Sequence, residues 1–402
     1  MRKICLVVVG LYLHLLSAFS QTVDSTKYKN RTLKVDEINL VNSYYNQDGN
    51  HSAVTGGIGT QELSDYVTDI DLTLSKYNKF NHKVDLDIDA GIEYYTSASS
   101  DNIDPSTISS ASSHDIHFYP SVTRTVTDEQ NGTKFDLTAS IGTESYYLSS
   151  GFGGGFAKKS KDKSREFEVK AKCYLDKMKL ILPVELRTLQ TGGLPGAYNQ
   201  HDYPWVDRNS FSTSFTLSQI VNKRLQLLFL LDLAYQQGYL ALPFYRIYFK
   251  DSTETIEKLP SERFKLPIGI RASYFLGDRF VLRSYYRFYC DDWGLIAHTI
   301  DNELAIKFTP FFSVAPFYRY YTQSSINWFA PYREHVETEK YYSSDYDLAT
   351  FHSDFFGAGF RWAPPKGVFD RPNWSMIELR YGHYSKTDGF ISNIISLNLT
   401  FK

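Results

Sequence analysis

Cysteine, methionine and long apolar runs are all scarce in this chain of 402 residues, which has three Cys and three Met. Cys5 lies inside the apolar core of the N-terminal segment and not at its end, so a lipid-anchored N-terminus is excluded. Only Cys173 and Cys290 follow it, and the lack of a CxxCH excludes covalently attached c-type haem. From Gln21 onward no stretch approaches the ~20 uninterrupted apolar residues of a spanning helix. An excess of one charge is missing too: 43 basic residues stand against 45 acidic, which leaves nucleic acid without an electrostatic footprint.

What is present begins with Arg2 and Lys3, an uncharged run from Ile4 to Leu16, and Ala18, Phe19 and Ser20. A run of about 13 residues suits an export signal and is short for a membrane span. We therefore expect a signal peptide over 1–20, cleavage before Gln21, a periplasmic segment over 21–35 and the folded body over 36–402. Removing Arg2 and Lys3 leaves 41 basic against 45 acidic side chains, a formal charge of −4.

Aromatics are abundant, with 28 Phe, 31 Tyr and 5 Trp, yet the mean hydropathy is −0.34. Strands that alternate lipid-facing and water-facing residues give that mixture, with Tyr and Trp gathered at the membrane interfaces. The alternation is explicit between Lys83 and Tyr95: Val84, Leu86, Ile88, Ala90, Ile92 and Tyr94 interleave with Asp85, Asp87, Asp89 and Glu93. It recurs at Phe135/Leu137/Ala139/Ile141, Phe167/Val169/Ala171/Cys173/Leu175 and Phe264/Leu266/Ile268/Ile270/Ala272/Tyr274.

Strands are expected near 36–45, 64–76, 82–97, 112–126, 133–148, 164–176, 178–189, 210–220, 223–236, 261–276, 279–292, 295–309, 312–325, 351–363, 374–386 and 389–401. This gives an all-β fold, a transmembrane antiparallel β-barrel of about sixteen strands in the outer membrane. Periplasmic turns fall at Lys79, Asn131, Lys177, Asn222, Gly277 and Pro310, with one longer turn through Pro364, Pro365 and Gly367. Long extracellular loops fall at 46–63, 98–111, 149–163, 190–209, 237–260 and 326–350. Short turns on one rim and long loops on the other set a barrel apart from a soluble sandwich. In the last strand Ile395, Leu397, Leu399 and Phe401 alternate with polar residues; they look like the terminal strand that barrel-assembly machinery recognises, with Lys402 as a small departure. From Leu225 to Leu233 nearly every residue is apolar on both faces, so this strand packs a lumenal element, with 237–260 the candidate, or meets another subunit, or its register is slightly mis-set beside a loop.

At Tyr95-Thr-Ser-Ala-Ser-Ser-Asp101 with Ile103-Asp104 and Ser109-Ser-Ala-Ser112, and at Tyr286-Arg-Phe-Tyr-Cys-Asp-Asp-Trp-Gly294 with His298-Thr299, the chain resembles a family of Gram-negative proteins classed as a domain of unknown function. Tyr318-Arg-Tyr-Tyr-Thr-Gln323 and Ser344-Asp-Tyr-Asp-Leu348 extend the match over nearly the whole mature chain. The resemblance implies an outer-membrane barrel without an assigned substrate. Members often stand beside thioredoxin-like proteins and a flavin-attaching transferase, which implies a periplasmic redox partner.

Several constellations carry chemistry. A hairpin centred on Lys79 sets Asp71 opposite Asp87 and Asp69 opposite Asp89, all facing the lumen; like charges there call for water, a proton or a cation such as Ca2+ between them. About eight strands on, Arg283 and Arg287 point inward with Tyr285 and Tyr289, and Arg319, Arg361 and Arg380 follow. Either these walls set a field across the pore, or the arginines pair locally with Asp301, Glu303 and Glu378. Loop 98–111, with Asp101 and Asp104, is a constriction, a calcium loop or a plain polar loop. In 326–350, Trp328, Phe329, Tyr332, Tyr341 and Tyr342 suit stacking on a sugar or partner, or interface anchoring. His82, His114, His117, His298 and His383 show no spacing that pairs them with a serine nucleophile, and Gly151-Phe-Gly-Gly-Gly155 reads as a flexible loop. Cys173, near the periplasmic rim, and Cys290, near the outer rim, are expected to be too far apart to bridge. The leading expectation is a porin-like channel for small polar or charged solutes and no enzyme. Its rivals are a non-conducting scaffold for a periplasmic or surface partner and, behind both, an outer-membrane hydrolase.

Overall fold

The structure, a computed structural model, describes residues 31–96, 114–183, 186 and 203–402. The expected signal peptide, loop 98–111 and most of 190–209 lie outside the described residues. Sixteen strands form one closed barrel: β1 (Lys34–Asp48), β2 (Leu63–Tyr77), β3 (Lys83–Thr96), β4 (His114–Asp128), β5 (Thr133–Thr143), β6 (Tyr147–Lys159), β7 (Arg165–Lys179), β8 (Trp205–Asn222), β9 (Leu225–Gly238), β12 (Glu262–Leu276), β13 (Phe280–Asp291), β14 (Ile296–Lys307), β15 (Phe312–Gln323), β16 (Phe351–Trp362), β17 (Trp374–Lys386) and β18 (Ile391–Phe401). Two short strands, β10 (Arg246–Tyr248) and β11 (Glu254–Ile256), make a separate hairpin between β9 and β12. Every barrel strand is antiparallel to both neighbours, and β1 closes on β18 with Ile38 opposite Phe401. Closure leaves no unpaired sheet edge, which a strand structure needs in hydrocarbon.

The outward face is apolar: Phe135, Leu137, Ile141, Phe152, Phe156 and Phe167 all stand roughly half exposed. At the seam Ile38, Leu40, Leu399 and Phe401 pack as one cluster with Trp374 and Ile377, and the Phe401 ring stacks on Trp374 at 6.0 Å. On the inner face of the same seam Thr400 donates to Asn39 across 2.7 Å. Ile395 and Leu397 continue the outward row of β18.

The count of sixteen holds, but two of its members differ from the sequence expectation. The segment expected as an outer loop, 149–163, is largely β6, while of the strand expected over 178–189 only residues 178 and 179 are strand, as the end of β7, 180–183 are not, and most of the remainder lies outside the described residues. Gly151 to Gly155 conceal the strand: on the lipid face only Leu148, Phe152 and Phe156 keep the apolar signal, every fourth residue. Glycine is required on the lumen face, since a Cβ at Gly155 would come within 2.5 Å of the Asp136 carboxylate. β7 therefore runs outward, Lys177 is near its outer end and not in a periplasmic turn, and Cys173 lies in mid-wall and not near the periplasmic rim. Both thiols are free.

Candidate functional site: the charged lumen and the loops across its mouth

The hairpin between β2 and β3 sets the acidic wall. Its turn is two residues longer than a centre at Lys79 implies. Asn78 accepts from the backbone N–H groups of Phe80 and His82, and Asn81 takes a left-handed φ of 61°, as an Asx turn allows. The pairing centre moves to Phe80, so the expected partners are corrected: Asp71 faces Asp89, Asp87 faces Thr73 and Asp69 faces Gly91. Because the shift is an even number of residues, Asp69, Asp71, Asp85, Asp87, Asp89 and Glu93 still share the inner face. Thr73 and Ser75 donate to Asp87 (2.8 Å) and Asp85 (2.5 Å), and Glu93 meets His117 at 3.2 Å. Asp71 and Asp89 remain as directly opposed like charges, with Asp71 Oδ1 buried and unpartnered. Among the described residues no group of three or more His, Cys, Asp or Glu side chains converges as a metal shell.

Eight strands further round the closed order, β12 and β13 stand opposite β2 and β3. Their inner face is cationic. Arg271 and Arg287 lie over the Tyr285 and Tyr289 rings, and neither has an ion-pair partner among the described residues. Arg319 pairs with Asp301 at 2.7 Å, and Arg283 with Glu303 at 2.6 Å. Arg361 reaches Glu378 only at 4.0 Å. Arg380 does not pair with a neighbouring strand: from β17 it reaches past two strands to Glu303 on β14 at 3.0 Å. It can do so because the Phe317 ring, 4.2 Å below its guanidinium, fills the wall between them. Phe317 lies over Gly357, where a Cβ would come within 2.7 Å of the ring. Thus Arg283, Arg319 and Arg380 are held in ion pairs, while Arg271 and Arg287 have none among the described residues.

The outer mouth is crossed by the connection between β9 and β12, residues 239–261. Phe244 meets Tyr146, in the β5–β6 turn, edge-on at 5.7 Å. Arg246 donates to the Val54 carbonyl in the β1–β2 loop at 2.7 Å, and Lys258 exchanges backbone hydrogen bonds with Tyr342 in the β15–β16 loop. Those contacts span opposite sides of the ring of strands. Leu240 packs with Trp293, Leu295, Ala297 and Ile326. The loop expected to pack against Leu225–Leu233 thus packs at the mouth, while Leu228 and Leu230 look into the lumen. At the junction of the two loops lies Glu257, 3 % exposed. It accepts from the Ser343 hydroxyl (2.5 Å) and the Leu242 N–H (2.9 Å), and burial raises its pKa to about 7. Burial, and then the Asp347 and Glu257 charges, push Asp345 well above the usual carboxylate range.

Sequence reasoning missed this junction. Its signal was in the family motifs. Gln323 ends Tyr318-Arg-Tyr-Tyr-Thr-Gln323 and donates to the carbonyls of Asp347 and Ala349, at the end of Ser344-Asp-Tyr-Asp-Leu348. Asp291 caps the tight turn at Trp293, accepting from the Trp293 and Leu295 N–H groups and from Arg263. These segments build the mouth. The expected stacking aromatics are used internally: Trp328 meets Trp293 and Tyr341 edge-on. Among the described residues His82 meets Asp128, His117 meets Glu93, His298 meets the Tyr286 hydroxyl and His383 meets Asn393, so these four histidines are engaged by groups other than serine. His335, 2 % exposed, does approach Ser343, but its Nε2 faces the Ser343 carbonyl at 3.0 Å while the hydroxyl is turned to Glu257. That geometry does not place a base on a nucleophile.

A closed sixteen-stranded barrel with an apolar exterior, a charged interior, short turns on one rim and long loops on the other is an outer-membrane β-barrel. The chain belongs to the family described as "Protein of unknown function (DUF3570)", whose model matches residues 15–368. A search of curated proteins finds no match. Among solved structures the chain is similar to Pseudomonas aeruginosa OccK1 (OpdK), with 7% identity, 93% of this chain and 99% of that one covered, and a TM-score of 0.42. It is similar to Pseudomonas aeruginosa OprD at 9% identity, covering 94% and 95%, TM-score 0.42. A BenF-like porin from Pseudomonas fluorescens Pf-5 gives 9% identity, 91% and 98%, and 0.42.

Proposed function

We propose that the barrel is a porin-like channel for small polar or charged solutes. The observation that carries this reading is the asymmetric lumen, with Asp71 and Asp89 on one wall and the unpaired Arg271 and Arg287 eight strands away. A wall whose charges served rigidity alone would pair them; unpaired charge facing water creates a field that orients a passing solute. The loops crossing the mouth narrow the entrance and select what enters. They also favour a second reading, a non-conducting scaffold whose tied loops present a surface to a partner, a redox protein among the candidates. Single-channel recording of purified barrel in planar bilayers tests both. Discrete conductance steps that change ion preference in Arg287→Glu support the channel. A folded, heat-modifiable barrel silent at every voltage rejects it and leaves the scaffold.

A further inference from the structure

On the periplasmic half of the lumen the basic wall is hollowed. A cavity of about 590 Å³ opens where Ala305 (β14), Ala315 (β15) and Gly359 (β16) present small side chains in a row. Long charged side chains border this floor on both sides. Towards the outer mouth Glu303 holds Arg283 and Arg380 through its two separate oxygens. Towards the periplasm Lys307, Ser313 and Arg361 stand side by side on β14, β15 and β16. The two borders are four residues apart along β14, roughly 13 Å at ~3.3 Å per residue, and long side chains reach in from each.

The charges do not cancel. Arg283, Lys307, Arg361 and Arg380 line the hollow with Glu303 and Glu378, a surplus of two positive charges, one at each border. Lys307 has no ion-pair partner among the described residues. The Arg361 Nε faces the Met376 sulfur at 2.9 Å, and Glu378 lies no nearer than 4.0 Å. The Arg361 side chain is 55% exposed, so its remaining N–H donors face the lumen water. Donors in a planar fork, an ammonium opposite and a small uncharged floor at Ala305 and Ala315 suit an elongated anion better than a compact one.

We propose that this hollow is a binding site for a small aliphatic dicarboxylate. One carboxylate takes the Arg361–Lys307 border, the methylene chain lies over Ala305 and Ala315, and the second carboxylate meets N–H groups of Arg380, which lies over Gly359, and of Arg283. Inorganic phosphate carries comparable charge but cannot span the two borders. The site rests on the channel reading for the ligand's route inward, not for its affinity. Equilibrium binding therefore tests it separately from conduction.

The experiment is calorimetric titration of the detergent-solubilised full-length barrel at low salt with succinate, its neutral diamide and inorganic phosphate. Succinate is expected to bind at least tenfold more tightly than either of the others. Arg361→Gln and Lys307→Gln should each weaken succinate about tenfold, while Lys170→Gln, on β7, leaves it unchanged. Heat-modifiable mobility shows that each variant is folded. Equal affinities for succinate and phosphate, no succinate binding by wild type, or undiminished binding by the folded double variant would each overturn the proposal. A silent barrel in the bilayer that still binds succinate would remove the channel and leave the site.

Discussion

Glu257→Gln exchanges a buried carboxyl for an amide of the same shape at the junction of the two mouth loops. The amide carbonyl can accept from the Leu242 N–H, and its NH2 can meet the Ser343 hydroxyl, so the packing survives while the titration is lost. Because the folded pKa stands at about 7 against an ordinary 4.5, Glu257 is neutral in the closed mouth near pH 5 and must ionise in place above pH 7. The sign follows from linkage. Closure is most stable below about pH 4.5 and loses stability as pH rises through 7. The full difference is about 3 kcal/mol at ~1.36 kcal/mol per unit. Hydrogen exchange on the amides of 242–249 and 343–345 reads this directly. Wild-type opening should grow easier between pH 5 and pH 8, after correction for the intrinsic exchange rate, and the Gln variant should show a shallower profile whose remainder belongs to the buried Asp345. An equal pH dependence in both proteins would refute the assignment of Glu257.

Gly357→Val sets a Cβ hard against the Tyr381 carbonyl oxygen and within 2.7 Å of the Phe317 ring and is expected to cost ~1–3 kcal/mol, read as a lower urea midpoint of the heat-modifiable band; an unchanged midpoint would show that β16 and β17 part at Gly357 without loss of stability. Asp89→Asn removes the charge opposed to Asp71 and should raise the melting temperature in chelator. Melting that rises with calcium in wild type and not in Asp71→Asn would instead place a cation between the pair. Phe401→Ala removes the ring stacked on Trp374 at the closing seam and should lower the assembled fraction in outer-membrane preparations; full assembly would deny the last strand its role as a signal. Both Cys173 and Cys290 should react with maleimide in denatured, unreduced protein, and a disulfide in the monomer would contradict the register of β7.

How much was legible in the sequence depended on which force left a periodic trace. Burial against lipid repeats every second residue, so strands such as β3 and β12 and the closing β18 were readable, and so was the inward row of aspartates. β6 was not, because its lumen face needs glycine to admit Asp136 and Tyr174, and glycine reads as a loop. The β2–β3 register slipped by two for an equally local reason: the Asn78 and Asn81 turn is set by side-chain hydrogen bonds that no hydrophobic pattern records. Ion pairs between neighbouring strands, such as Arg319 with Asp301, followed from strand order. Arg380 reaching Glu303 did not, since it depends on Phe317 filling the wall between. The mouth was the least legible part. Its contacts join segments nearly 200 residues apart, such as Arg246 and Val54, and only the conspicuous motifs ending at Gln323 and beginning at Ser344 hinted that something specific was built there.

Successive residues of a wall strand alternate between hydrocarbon and an enclosed aqueous lumen. A cysteine scan along β3, in a background lacking Cys173 and Cys290, tests it with a small charged thiol reagent applied to intact outer membranes. Cysteines at positions 85, 87 and 89 should be labelled, and those at 84, 86 and 88 protected. Labelling that ran evenly along the strand, or was reversed between the two sets, would rule that alternation out.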